Sequence, residues 1–167
     1  ARSGHDGISH LTKHPPTLWG DAELVAEPTK RARTANAIHS LAALYDLQLQ
    51  PDLVDTMTVT SPTTGNRVGR SFVIPETIED LQLRSEMHQV WARATLGFMG
   101  RTPDYLNVNV MAAGMAADYF NQCDPRFGAN MMSYFEMVRE NDLALTHALT
   151  NPQVDRSRQV SELDDPF

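Results

Sequence analysis

Cysteine is nearly missing from this chain: Cys123 stands alone among 167 residues. An internal disulfide is therefore excluded, and so is any metal or iron–sulfur cluster held by several thiolates of this segment. So little thiol chemistry points to a reducing cytoplasm. Long apolar runs are missing too. None approaches the ~20 residues of a membrane span, and the opening ARSGHDGISH lacks the apolar core of a secretory signal. Positive charge is short: the net charge is −7, with no basic stripe of the kind nucleic acid requires. Several catalytic patterns are also lacking. Gly97-x-x-Gly100 sits at a helix end and not after a strand, so no phosphate loop is formed. There is no HExxH, and no serine lies in a GxSxG elbow. His10 and His14 are four apart, but Pro15-Pro16 argues against a helical metal face, and no metal is expected.

What is present describes one soluble domain. A chain of this length buries roughly 70 % of its unfolded surface, and 41 % apolar with 21 % charged residues is ordinary for such a domain. Residues 1–28 carry no clear period and read as a surface arm, with Trp19-Gly20-Asp21 as a turn between short strands. Residues 29–46 read as a helix, because Ile38, Leu41, Ala42 and Tyr45 recur on one face. Lys30, Arg31 and Arg33 in its first turn read as solvated charge. Residues 56–74 read as a β-hairpin around the turn cluster 61–66. A capping box at Thr77 and Asp80 opens a long helix to about Met99, with Ile78, Leu81, Met87, Trp91, Ala94 and Phe98 inward. Thr102-Pro103 starts another helix to about Asn121. Its small residues at 112–114 and 116–117 permit close approach by a neighbour. A further helix runs from Ala129 to about Asn141, with Phe135 and Val138 inward. Asn151-Pro152 favours extension after it.

Two stretches read as chemistry: residues 100–107, GRTPDYLN, and residues 140–157, ENDLALTHALTNPQVDRS. Arg101 precedes a helix start and Tyr105 follows one turn later. The pair suits an anionic or phenolic oxygen. From composition alone the more ordinary reading is an arginine capping the preceding helix and a core tyrosine. His147 lies among apolar residues, as ligand contact or as a satisfied core histidine. Residues 153–156, QVDR, read as amide contacts to a polar ligand or as a hydrogen-bonded loop.

Residues 99–107 and 139–157 resemble the oxygenase component of the 4-hydroxyphenylacetate 3-monooxygenase family, the two-component flavin-dependent aromatic hydroxylases. Residues 61–69, SPTTGNRVG, and 40–46, SLAALYD, also look familial. The resemblance implies a mainly α chain: the helical N-terminal domain of an acyl-CoA-dehydrogenase-like fold with one small β-hairpin. Those subunits are much longer, so residues 1–142 correspond to the helical domain and 143–167 to the start of a truncated middle β-domain. The end at Asp164-Asp165-Pro166-Phe167, with no helix stop, fits that expectation. By motif match Arg101, Tyr105 and His147 fall on the phenol contacts. His147, Ala148, Leu149, Thr150, Gln153, Val154, Asp155 and Arg156 fall on the flavin contacts. The resemblance further implies FAD in its reduced form (FADH2), O2, a phenolic substrate, a separate NAD(P)H-flavin reductase and a dimeric or tetrameric full-length subunit. The 167 residues alone are expected to be inactive. Two other readings stand beside it. One is a detached helical interaction module. The other is a relative of 4-hydroxybutyryl-CoA dehydratase, whose iron–sulfur cluster Cys123 alone cannot supply.

Overall fold

Side-chain caps set the starts of three of the helices. The computed structural model describes residues 1–147, 157–159 and 162. The chain opens with α1 (Gly4–Lys13), where Ser3 and Asp6 form a reciprocal capping box. This helix replaces the irregular arm expected there; the S-x-x-D pattern was its signal. Strands β1 (Trp19–Gly20) and β2 (Glu23–Leu24) then pair antiparallel about the turn at Asp21. Arg31 and Arg33 both reach back to the Asp21 carboxylate, at 2.8 and 2.7 Å, so they are paired charges and not merely solvated ones.

Helix α2 (Ala32–Leu47) leads through α3 (Val54–Met57) into β3 (Thr58–Thr60) and β4 (Arg67–Gly69). This is the expected hairpin, with Val59 opposite Val68. Its second strand is earlier than the pattern at 71–74 suggested. There a 3-10 turn, Arg70–Phe72, forms instead, and the Arg70 guanidinium donates to Thr56 O at 2.6 Å and Asp55 O at 2.7 Å. Helix α4 (Ile78–Ala94) starts at the Thr77–Asp80 capping box, as expected. It stops five residues before Met99, because Leu96 and Gly97 turn the chain with φ of 52° and 74°. Helices α5 (Asp104–Met115), α6 (Ala117–Asn121) and α7 (Pro125–Glu140) follow. The helix expected to be continuous to Asn121 breaks at Ala116. The last helix begins four residues early, with Asp124 as N-cap and Pro125 in its first turn.

Among the described residues, two apolar clusters hold these elements. Leu44, Met57, Met87 and Trp91 bury each other between α2, α3 and α4, and Trp91 Nε1 donates to Leu44 O at 3.2 Å. Phe72, Met111, Phe135 and Val138 form the second cluster between the 3-10 turn, α5 and α7. Of the face expected to be inward on α4, only Met87 and Trp91 are buried; Ile78, Leu81 and Phe98 are exposed. No helix among the described residues is long and apolar enough to cross a membrane.

Close approach is built with small residues, as their clustering at 112–117 suggested. A Cβ at Gly128 would stand 2.4 Å from Ala117 O and from Asn121 Oδ1, where α7 meets α6. Gly128→Ala is therefore expected to cost about 1–3 kcal/mol, the usual range for forcing a methyl into filled space. Thermal unfolding of the variant reads it.

Candidate functional site

The loop at 95–103 delivers Arg101 to the start of α5, and Tyr105 stands on that helix's first turn. Arg101 is exposed, Tyr105 is 41 % exposed and His147 is exposed. Among the described residues these three side chains have no hydrogen-bond or ion-pair partners, and no such bond joins them to one another. They do not line the cavities beside Leu44, Tyr45 and Phe72. Among the described residues beside His147, Leu143 and Leu145 turn inward, while Ala144, Thr146 and His147 are exposed. Residues 148–156, which carry the expected flavin contacts Ala148, Leu149, Thr150, Gln153, Val154, Asp155 and Arg156, lie outside the described residues.

One core supports both stretches. Val108 and Met111 of α5 pack in the same cluster as Leu143 and Leu145. Tyr105 lies one helical turn before Val108, and His147 two residues beyond Leu145. The second apolar cluster therefore fixes the helix that carries Tyr105 and the segment that leads to His147.

The exit from α7 is set by a Schellman motif. Leu143 N–H donates to Val138 O at 3.1 Å and Asp142 N–H to Arg139 O at 3.1 Å. Leu143 and Val138 also meet in the core, the apolar contact that usually accompanies this motif. Asp142 occupies the left-handed position normally given to glycine, with φ of 46°. Its side chain holds it there. Arg2 N–H donates to Asp142 Oδ2 at 3.1 Å and Gln48 Nε2 donates to the same oxygen at 2.6 Å. These bonds tie α1, α2 and the exit of α7 to one buried carboxylate. Next to it the Tyr45 hydroxyl is buried, and the Arg2 guanidinium lies 5.3 Å from the Tyr45 ring centre. Burial, then the Asp142 charge, pushes the Tyr45 phenol well up.

Burial raises the Asp142 carboxyl above its ordinary range, against the hydrogen bonds from Arg2 and Gln48. Folding therefore favours the protonated acid, and the stability this contributes is lost as pH rises through the folded-state pKa. Asp142→Asn keeps an acceptor and tolerates the left-handed backbone. Wild type is expected to lose melting temperature relative to Asp142→Asn as pH rises above the ordinary carboxyl range, about 4; melting curves of both from acid to neutral pH check it. Glu140, at the last position of α7, runs the opposite way. Burial raises it, but the Ser61 and Thr64 hydroxyls and Arg139 outweigh burial and lower it. Ser61 Oγ donates to Glu140 at 2.6 Å, and Arg139 Nη2 donates to Thr63 Oγ1 at 2.7 Å, so the end of α7 grips the hairpin turn.

A second polar cluster seats α5. Arg84 is buried on α4 and donates to Ser71 O at 3.1 Å and Val73 O at 2.6 Å. Its burial lowers its pKa, while Asp104 works against that. Asn107 Nδ2 donates to Ser71 Oγ at 2.8 Å. Sequence reading gave no role to Arg2, Gln48, Asp142, Arg84 or Asn107, although Asn107 and Asp142 lie in the two stretches it singled out. Their partners lie 11 to 140 residues away, and no local spacing reports such pairs.

Comparison with known proteins agrees with this frame. The model of the family described as 4-hydroxyphenylacetate 3-hydroxylase N terminal matches residues 4–167. The oxygenase component of 4-hydroxyphenylacetate 3-monooxygenase from Thermus thermophilus is 44 % identical over the whole chain, which covers 34 % of that protein. The corresponding protein of a Geobacillus species is 41 % identical over 99 % of the chain and 33 % of its own length. The chain thus spans about a third of the relatives it matches. A crystal structure of such an oxygenase component, complexed with FAD and 4-hydroxyphenylacetate, superposes with a TM-score of 0.89 at 44 % identity, over 100 % of this chain and 34 % of that one. An archaeal 4-hydroxybutyryl-CoA dehydratase superposes over 99 % of the chain and 32 % of its own, with a TM-score of 0.73 at 27 % identity.

Proposed function

The chain belongs to the 4-hydroxyphenylacetate 3-hydroxylase N-terminal family, and from that premise we propose that it forms the phenol-facing part of a flavin-dependent oxygenase. Its reaction is hydroxylation of a phenol ortho to the hydroxyl group. The observation that carries this reading is the Arg101 guanidinium, exposed and unpartnered among the described residues at the start of α5, one turn from Tyr105.

An electrophilic oxygen attacks an electron-rich ring, so the phenol must approach phenolate. Arg101 supplies a fixed positive charge where that oxyanion develops. Tyr105 donates a hydrogen bond to the same oxygen. His147 accepts the phenol proton and returns it once the product ring has formed. Leu143 and Leu145 anchor the His147 segment in the core, so the imidazole approaches from a fixed direction. Reduced FAD together with O2 supplies the electrophilic oxygen when bound.

The residues assigned to the flavin have suitable chemistry. His147, Thr150 and Gln153 offer neutral hydrogen bonds, Asp155 and Arg156 offer opposite charges, and Ala148, Leu149 and Val154 offer apolar contact. His147 is exposed and open to such a group. We assign residues 1–142 to the helical domain and 143–167 to the entry of a middle β-domain. The reading also includes a separate NAD(P)H-flavin reductase, a homo-oligomeric full-length subunit and a cytoplasmic location. The dehydratase shares the helical frame, but Cys123, exposed between α6 and α7, offers a cluster at most one thiolate.

The test is reconstitution. The complete gene product containing these residues, given FAD, NADH, a flavin reductase and 4-hydroxyphenylacetate, should form the ortho-dihydroxy product. NADH consumption that yields only hydrogen peroxide with every phenol tried would reject the reading.

A further inference from the structure

The start of α5 has no ordinary cap. Its N-cap position is Pro103, which makes no side-chain cap bond. Yet this turn carries Arg101 and Tyr105, and Arg101 has no partner among the described residues to hold it. The turn's order must come from elsewhere. Asp104 is the one ionisable group within it that is largely buried, with 18 % of its side chain exposed. Its Oδ1 accepts from the Thr102 hydroxyl across the turn. Its Oδ2 stands 3.1 Å from His88 Nε2 on α4. That nitrogen is buried, and at this distance from the carboxylate it makes no hydrogen bond among the described residues. His88 lies one turn beyond Arg84, whose buried charge also faces Asp104. Tyr105 N–H donates to Thr102 O at 3.1 Å, closing the turn. Thus α4 grips α5 at a point between the two phenol-facing side chains.

We propose that His88 and Asp104 are positioning residues for the phenol: His88 acts through the Asp104 carboxylate to hold the turn that presents Arg101 and Tyr105. The inference rests on the proposed function for its ligand, but its mechanical part stands on the geometry alone. Scale separates it from a plain stability role. A partly exposed contact of this kind adds little to folding, whereas a displacement of ~1 Å in a group that orients substrate costs up to about 100-fold in catalysis. His88 is therefore expected to matter far more for phenol binding than for melting.

The experiment uses the complete gene product in three forms: wild type, His88→Ala and His88→Gln. Glutamine places an N–H donor near the position of Nε2. Amide hydrogen exchange over residues 99–107 reads the turn directly. Calorimetric titration with 4-hydroxyphenylacetate reads the ligand. Alanine should speed exchange in that segment by about 10-fold and raise the phenol Kd by about 10-fold, the loss of one oriented contact. Its melting temperature should fall by no more than about 4 °C, and glutamine should restore both readouts. Unchanged exchange in the alanine variant would overturn the proposal. So would a phenol Kd that glutamine fails to restore, or losses that merely follow a large fall in melting temperature. A wild-type protein that binds no phenol would instead remove the functional reading, while hydrogen exchange still decides the clamp. Asp104→Asn, which keeps an acceptor but removes the charge, should fall between wild type and His88→Ala in both measurements; wild-type behaviour in both would also overturn the proposal.

Discussion

Arg101→Ala in the complete gene product should lower kcat/KM for phenol hydroxylation by about 100- to 1,000-fold, near 3–4 kcal/mol, the usual loss when one oxyanion partner is removed. The size follows from the geometry. Arg101 spends no charge on the fold, since among the described residues it makes no ion pair and no side-chain hydrogen bond, and it is exposed. Its removal should leave melting nearly unchanged. The loss is therefore read on catalysis alone, with steady-state rates of product formation set against thermal unfolding of the same sample. Arg101→Lys should recover only part of the rate, because an ammonium cannot reproduce the planar fork of the guanidinium. Equal rates for wild type and Arg101→Ala would strike the residue from the reaction.

Phe135→Ala should have the largest effect on stability, about 3–5 kcal/mol for a buried aromatic side chain reduced to a methyl group. Phe135 is fully buried where α5, α7 and the 3-10 turn meet. Its ring carbons lie 3.2–3.3 Å from where a Cβ on Gly114 would stand, so the two helices are as close as the glycine permits. The Arg139 guanidinium lies 5.0 Å from its ring centre. The same cluster carries Leu143 and Leu145, so this substitution should also loosen the approach to His147. Denaturant unfolding measures the stability loss. Hydrogen exchange at residues 143–147 measures the loosening, and a variant that loses stability while this segment stays protected would separate core from site.

What the sequence discloses about this molecule is what short range decides. The Thr77–Asp80 capping box is a four-residue pattern, and it opens α4 where the pattern says. Phe135 and Val138 are one turn apart, and both are fully buried. The same reasoning could have found α1 through Ser3 and Asp6, and the start of α7 through Asp124-Pro125. Three-dimensional partners are another matter. Periodicity marks Ile78, Leu81 and Phe98 as an apolar face, but it cannot say which apolar face this chain's own elements cover, and these stay exposed. The site divides in the same way. Arg101, Tyr105 and His147 entered through a resemblance to known sequences, since composition and spacing left each with an ordinary structural alternative. Asp142 lies within the matched stretch 139–157, but no local pattern pairs it with Arg2 and Gln48. Their contact joins residues 94 and 140 positions apart.

The central claim is that three side chains from two separated stretches converge on one phenolic oxygen. A crystal structure of the complete gene product with FAD and 4-hydroxyphenylacetate bound tests it most directly. The account predicts a phenol oxygen about 2.6–3.2 Å from side-chain atoms of Arg101, Tyr105 and His147 together. A phenol seated away from the start of α5, with Arg101 still facing solvent, would contradict it.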